Sequence, residues 1–455
     1  MTFRKLLFLA VSLSFSITSG SPAADRLPGI SQKMETPGFW IKKIKKPDYL
    51  LLKPEEIEKM NEENLNRQDL YLWRVKDLKD EWTREELLEQ LKEDWEGFEK
   101  TRNGNSFQEL FWTEVKTNLN HEGLGEKNRV LFALVVKRTD IRYFPTDEVC
   151  ANTLSDDRVD RIQHSTVAPG SLVGIHHFSK DGRWAYVQTR FVRGWIHASD
   201  LAIAKDRNEA VGYEQATDRL VVTGNSVNVF DDPAFRQPLL SAQMGTSFPM
   251  FGLNRYYVVK IPSREMNGKL VFRNGYIAGD ADVCRGFLSY TQKNLAIQAF
   301  KMLHQPYAWG EKSGGRDCSR FIMDLFATFG IVMPRNSLFQ AKVGIALPGI
   351  ERKTLREKER SLDQAIPLAT TIRLPGHIML YLGKNGGKYY VIHSILGISK
   401  KGNSGPVIQR IGRVVVSDLN LGEPNRSLLH RSTDIQVIGS PSEARKRFLK
   451  KPRNL

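Results

Sequence analysis

The chain has 455 residues, 41% hydrophobic and 26% charged. At about 100 to 200 residues per domain this predicts about three domains and excludes a disordered chain. No stretch reaches the roughly 18 apolar residues that span a bilayer. The formal charge of +16 favours anionic partners without separating nucleic acid, lipid and cell-wall polymer.

Arg4 and Lys5, an apolar run from Leu6 to Ile17 and the small residues Ser19 to Ala24 follow the order of a secretory signal peptide. The expected segment is 1–23, cleaved near Ala23 or Ala24. Its removal leaves a basic chain with no integral membrane segment, and no Cys follows the run to carry a lipid. Export, with no zinc-finger spacing or phosphate-binding glycine loop, argues against a nucleic-acid partner. Residues 24–127 read as a charge-rich helical segment. Thr83 with Glu86 and Ser106 with Glu109 have capping-box spacing, each ahead of an amphipathic run: Leu87, Leu88, Leu91, Trp95 and Phe98, then Leu110, Phe111, Val115 and Leu119.

From 128 the period becomes that of short strands. Leu131–Val136, Leu172–His176, Trp184–Gln188 and Phe191–His197 suggest a small barrel over 128–205. Leu220–Phe230, Phe248–Lys260 and Leu270–Ile277 suggest a second over 215–285. Trp184-Ala-Tyr-Val-Gln with Gly194-Trp195-Ile196 recurs as Tyr256-Tyr-Val-Val-Lys with Gly275-Tyr276-Ile277, which points to a tandem duplication. The pattern resembles bacterial SH3-like domains.

Beyond 286, Leu295, Ala296, Ala299, Phe300 and Leu303 share a helical face that Pro306 ends. Three cysteines leave at least one thiol unpaired in an exported chain. A bridge between Cys150 and Cys284 stays open on sequence alone and would leave Cys318 free. Cys318 opens a helix marked by Phe321, Ile322, Leu325, Phe326 and Phe329. A helix N-terminus stabilises a thiolate by less than about 2 kcal/mol, whereas lowering its pKa by about four units needs about 5.4 kcal/mol. A histidinium partner is therefore expected. His377 and His393 flank the turn Gly383-Lys-Asn385-Gly-Gly387, and symmetric pairing about Asn385 predicts them directly opposite on one hairpin face. The chemistry expected is attack by Cys318, proton transfer through His377 and orientation by His393. A zinc site would use the same residue types but lacks a fourth ligand, so no cofactor and no metal are expected.

The ordered set Pro306-Tyr-x-Trp-Gly, Asp317-Cys318-Ser319, Gly-His377-Ile-x-Leu-Tyr-Leu-Gly and Ile392-His393 resembles the NlpC-type (NlpC/P60) papain-like cell-wall cysteine peptidases over about 290–430. The helical segment and two barrels ahead of it resemble the multidomain members with an N-terminal clip and tandem SH3-like domains. The fold class expected is α+β and multidomain, with a papain-like NlpC/P60 catalytic domain over 286–455. The resemblance implies a peptidoglycan hydrolase, periplasmic or cell-wall associated, that cleaves murein peptides between γ-linked D-glutamate and the following diamino acid. It implies Cys318, His377 and His393 as the catalytic set, with Tyr307 as an active-site tyrosine, and Asp317, Ser319 and Ser337 at the substrate. Asp317 also reads as a helix N-cap. In such relatives the first barrel restricts the site to peptides with a free N-terminal L-Ala, a role that falls here on residues around Asp181, Trp184 and Tyr186. Three departures stand out. Arg320 replaces the glycine that usually follows Asp-Cys-Ser, Glu311 stands where a second glycine is common after Trp309-Gly310, and no Gly-Asp element precedes the His377 strand. Alternative readings are a catalytically inactive wall-binding scaffold, or an acyltransferase or amidase sharing the first half-reaction.

Overall fold

The computed structural model describes residues 26–102, 109–150, 159–347, 350–402 and 405–439. The expected signal segment, Ser106 and the basic stretch Arg445 to Lys451 lie outside them. Helix α1 (Arg84–Arg102) starts on the Thr83/Glu86 capping box. The Glu86 N–H donates to Thr83 Oγ1 at 3.3 Å, and the Thr83 N–H to the Glu86 carboxylate at 2.8 Å. Leu87, Leu91 and Phe98 of α1, with Val115 of α2 (Glu109–Asn118) and Leu119 just beyond it, are buried in one cluster with Phe144, Trp184, Tyr186 and Trp195. Leu110, expected in the α2 stripe, is instead 66% exposed. Phe111, Val115 and Leu119 recur every four residues and set the inward face, and Leu110 points about 100° away from it.

Residues before α1 pack elsewhere. Trp40, Leu51, Leu52 and Leu70 belong to the core that holds α3 (Gln292–Lys301) and α4 (Cys318–Ala327). The helical segment thus divides its apolar surface between the first barrel and the C-terminal domain, bracing one against the other.

The two barrels are repeats at the level of topology. Each is a seven-stranded sheet, and when strands are counted from the start of each barrel the order is 3-2-6-5-4-1-7 in both. The register repeats as well, since Val187 pairs with Gly194 and Val259 with Gly275. Both glycines are required by close approach. A Cβ on Gly194 would lie 2.6 Å from the Arg142 carbonyl oxygen, and one on Gly275 2.5 Å from Ile261. Polar strands without apolar alternation escape the sequence pattern, among them β1 (Gln163–Val167) of the first barrel.

The C-terminal domain is an α+β unit with a six-stranded antiparallel sheet. Its last four strands in sheet order are β2 (Thr370–Leu374), β3 (His377–Asn385), β4 (Lys388–Gly402) and β5 (Gly405–Asp418). Helix α4 lies against β3 and β4 through Phe321, Ile322 and Leu325, all fully buried. All three thiols are free, so Cys150 and Cys284 are not bridged.

Gly194→Ala should lower the unfolding free energy by about 1–3 kcal/mol, because backbone oxygen cannot yield to the new methyl. Gly212→Ala, in helix Arg207–Glu214 with nothing within 4 Å of the added methyl, should raise it by about 0.5–1 kcal/mol. Urea unfolding of the two variants measures both signs.

Candidate functional site

Asp317 caps α4. Its Oδ1 accepts from the Arg320 N–H at 2.9 Å, which places Cys318 at the first helical position. The backbone N–H groups of Ile378, next to His377 in β3, and of Ser319 favour the charged form of the Cys318 thiol. His377 Nε2 lies 2.7 Å from His393 Nδ1, and His393 Nε2 lies 3.0 Å from Ser417 Oγ. A hydrogen-bonded chain of His377, His393 and Ser417 therefore runs across three neighbouring strands, β3, β4 and β5. With Nε2 of His377 committed to His393, its Nδ1 is the nitrogen left to exchange a proton with the thiol.

The two histidines are diagonal neighbours rather than directly opposite. The turn is the two-residue Gly386-Gly387, so Asn385 pairs with Lys388, and by itself that register would carry His377 and His393 to opposite faces. A bulge at Leu382 adds one residue to β3. Beyond it Tyr381 pairs with Val391 and Leu380 with Ile392, which returns the two rings to one face. One bulged residue thus decides whether the relay exists.

Burial, reinforced by the Asp317 charge, pushes the Cys318 thiol up to about 12, against the opposing pull of the Ile378 N–H, Arg335 and the Ser319 N–H. Burial also pushes His377 down to about 3, and His393 well below the usual imidazole range. Desolvation thus works against the charged form of both the thiol and the imidazoles, and for the thiol the helix end and the two N–H groups act in the opposite direction.

Cys318 opens on a cleft of about 820 Å³ built from three parts of the chain. The C-terminal domain supplies Tyr307, Trp309, Asp317, Ser319, Arg335, Ser337 and Phe339, the first barrel Tyr143, His164 and Phe191 to Arg193, and the N-terminal helices Tyr71, Trp73, Glu93 and Asp94. Tyr307, Asp317, Ser319 and Ser337 thus line the same cleft as Cys318. Trp184 and Tyr186 do not. Both are 1% exposed, buried between the barrel and helices α1 and α2, with Trp184 stacked on His197 at 3.8 Å. Asp181 is also absent from the cleft, its carboxylate accepting from Ser179, Asn118 and the Arg183 N–H. Alternation along the strand turns Ala185 and Val187 into the barrel and Trp184 and Tyr186 out under the helices. Tyr186 reaches the site only indirectly, its hydroxyl donating to Asp94, which Arg193 also holds at 2.9 Å. The barrel wall is instead Tyr143 stacked on His164 at 4.1 Å, and Phe191.

Behind the cleft lies a buried ion cluster. Arg335, 7% exposed, donates to both Asp317 oxygens, to Ser319 Oγ at 2.7 Å and to Ser165 Oγ of β1 at 2.7 Å, and pairs with Glu311 at 2.9 Å. Arg320 pairs with Glu311 at 2.6 Å and with Asp324. Arg320 and Glu311, both departures from the family's glycines, are thus partners of each other. Burial works to raise the Glu311 carboxyl, but Arg320 and Arg335 outweigh it and hold it at about 2. Glu311, Arg335 and Ser417 carry no motif signal of their own. A glutamate at one expected glycine together with an arginine at another was the available hint.

The fold defines a papain-like α+β domain carried behind tandem SH3-like barrels. Residues 304–409 match the NlpC/P60 family model and residues 153–197 the SH3 domain model of the SH3b1 type. The C-terminal domain thus contains a segment similar to NlpC/P60 domains. An NlpC/P60 endopeptidase from Photobacterium damselae subsp. piscicida superposes with a TM-score of 0.72 at 18% identity, covering 88% of this chain and 96% of that one. An NlpC/P60 family protein from Bacillus cereus ATCC 10987 does so with a TM-score of 0.50 at 16% identity, over 68% and 100%. No curated protein matches the chain in sequence.

A thiol raised by burial should be alkylated slowly near neutrality. The rate of iodoacetamide labelling at Cys318 should climb by about tenfold per pH unit through pH 7 to 9, followed by peptide mapping. A rate already level from about pH 5 would instead mean a preformed thiolate–imidazolium pair.

Proposed function

We propose that the chain is an exported cysteine endopeptidase that cleaves murein stem peptides between the γ-D-glutamyl residue and the diamino acid. The observation that carries this reading is Cys318, at the start of α4 in a peptide-sized cleft, beside the relay from His377 to His393. The bond itself comes from the family resemblance, and the basic charge of the chain suits a carboxylate-rich wall.

Cys318 Sγ attacks the glutamyl carbonyl carbon while its proton passes to His377 Nδ1. The carbonyl oxygen becomes an oxyanion, to which the Cys318 N–H and the Tyr307 hydroxyl donate. Collapse breaks the C–N bond as His377 returns the proton to the leaving amine. Water, deprotonated by His377, then hydrolyses the thioester. His393, seated against Ser417, fixes the His377 ring. Ser319 and Ser337 offer hydrogen bonds to the peptide, and an N-terminal ammonium has Asp317, Glu93 and Asp94 as acceptors in the cleft.

Incubation with L-Ala-γ-D-Glu-diaminopimelate, with products identified by mass spectrometry, should release L-Ala-D-Glu. Cys318→Ala should lower the rate by about 10⁴-fold or more. Binding to peptidoglycan with no dipeptide released by the wild type would contradict hydrolysis, and turnover retained by Cys318→Ala would contradict the nucleophile.

A further inference from the structure

Glu311 is 0% exposed, yet its backbone is left-handed, with φ +64°. That region disfavours a residue with a side chain and suits glycine. A carboxylate placed in a buried and conformationally costly position must be held by strong partners, and here they come from two domains. From its own domain Glu311 takes Arg320 at 2.6 Å and Arg335 at 2.9 Å. From the first barrel Ser165 Oγ donates to Oε1 at 2.9 Å and Thr166 Oγ1 donates to Oε2. The neighbouring backbone is engaged by the same barrel. Arg138 donates to the Glu311 carbonyl at 2.6 Å and Gln163 to the Gly310 carbonyl at 3.1 Å. Arg335 continues the chain of contacts to Asp317 and Ser319, on either side of Cys318.

We infer that Glu311 is a positioning residue that latches strand β1 of the first barrel onto the loop ahead of Cys318, and so sets the cleft that selects the peptide. This deepens the reading of the site as a murein peptidase and rests on it for the identity of the peptide. Glu311 is not itself part of the cleft lining. It acts through Arg335, whose guanidinium it shares with Asp317, and through the barrel wall of Tyr143, His164 and Phe191 that faces the nucleophile. Removing its charge leaves Arg320 and Arg335 competing for Asp324 and Asp317, which frees β1 and displaces the Asp317 carboxylate from its present geometry.

Full-length wild type is compared with Glu311→Gln and with Ser165→Ala/Thr166→Val. The double variant removes the barrel side of the latch and leaves every charge in place, so that it still reports if Glu311→Gln fails to fold. Hydrogen–deuterium exchange should quicken by about tenfold in 163–167 and 309–320, with strand Tyr256–Arg264 of the second barrel unchanged. KM for L-Ala-γ-D-Glu-diaminopimelate should rise by about tenfold with kcat held within about threefold, while kcat/KM for the N-acetyl derivative stays level. Exchange that is unchanged, or faster by the same factor throughout the chain, overturns the latch. Both peptides losing kcat equally, with KM fixed, overturns its part in selection. Should the wild type cleave neither peptide, the peptidase reading fails and the exchange comparison still decides the latch.

Discussion

One guanidinium ties the molecule together. Arg335 holds Asp317, the cap of the helix that begins with Cys318, and at the same time Ser165 of the first barrel and Glu311 of the loop between them. Taking such charges out of water is costly, and a buried pair is not in itself a source of stability. What it enforces is arrangement, because loss of any one partner leaves another charge buried and unpaired. The N-terminus of α4, the barrel wall and the loop carrying Tyr307 and Trp309 are held to a single geometry, and the cleft exists only where they meet.

The second constraint is in the sheet. Imidazoles on neighbouring strands meet only when both stand on the same face, and that depends on the parity of the residues between them. The Gly386-Gly387 turn sets the wrong parity and the bulge at Leu382 reverses it. His377, His393 and Ser417 then line up across β3, β4 and β5. Because these groups are buried, desolvation raises the Cys318 thiol and lowers both imidazoles, and so works against charge on each of them.

Much of this was legible in the residues. The Thr83/Glu86 box, the Gly-aromatic-Ile repeats and the order of Cys318, His377 and His393 are local signals, and the structure carries each of them. Features that depend on distant partners were not. Turn length and a bulge are needed to place His393 relative to His377, and symmetry about Asn385 misplaced them by two residues. Trp184 and Tyr186 looked like a barrel wall, but the fold covers that face of their strand with α1 and α2 and leaves Tyr143, His164 and Phe191 to face the cleft. Glu311 and Arg320 read as two separate departures from a glycine pattern until the fold brings them to 2.6 Å.

The central claim is that Cys318 carries the acyl group during turnover, and the direct measurement is the intact mass of the protein quenched in acid while it processes L-Ala-γ-D-Glu-diaminopimelate. A fraction of the chain heavier by one L-Ala-γ-D-glutamyl group, mapped to the peptide that contains Cys318 and released by hydroxylamine, is the predicted result. Turnover with no such adduct in His377→Ala or in the wild type, or an adduct mapped to any other residue, would contradict it.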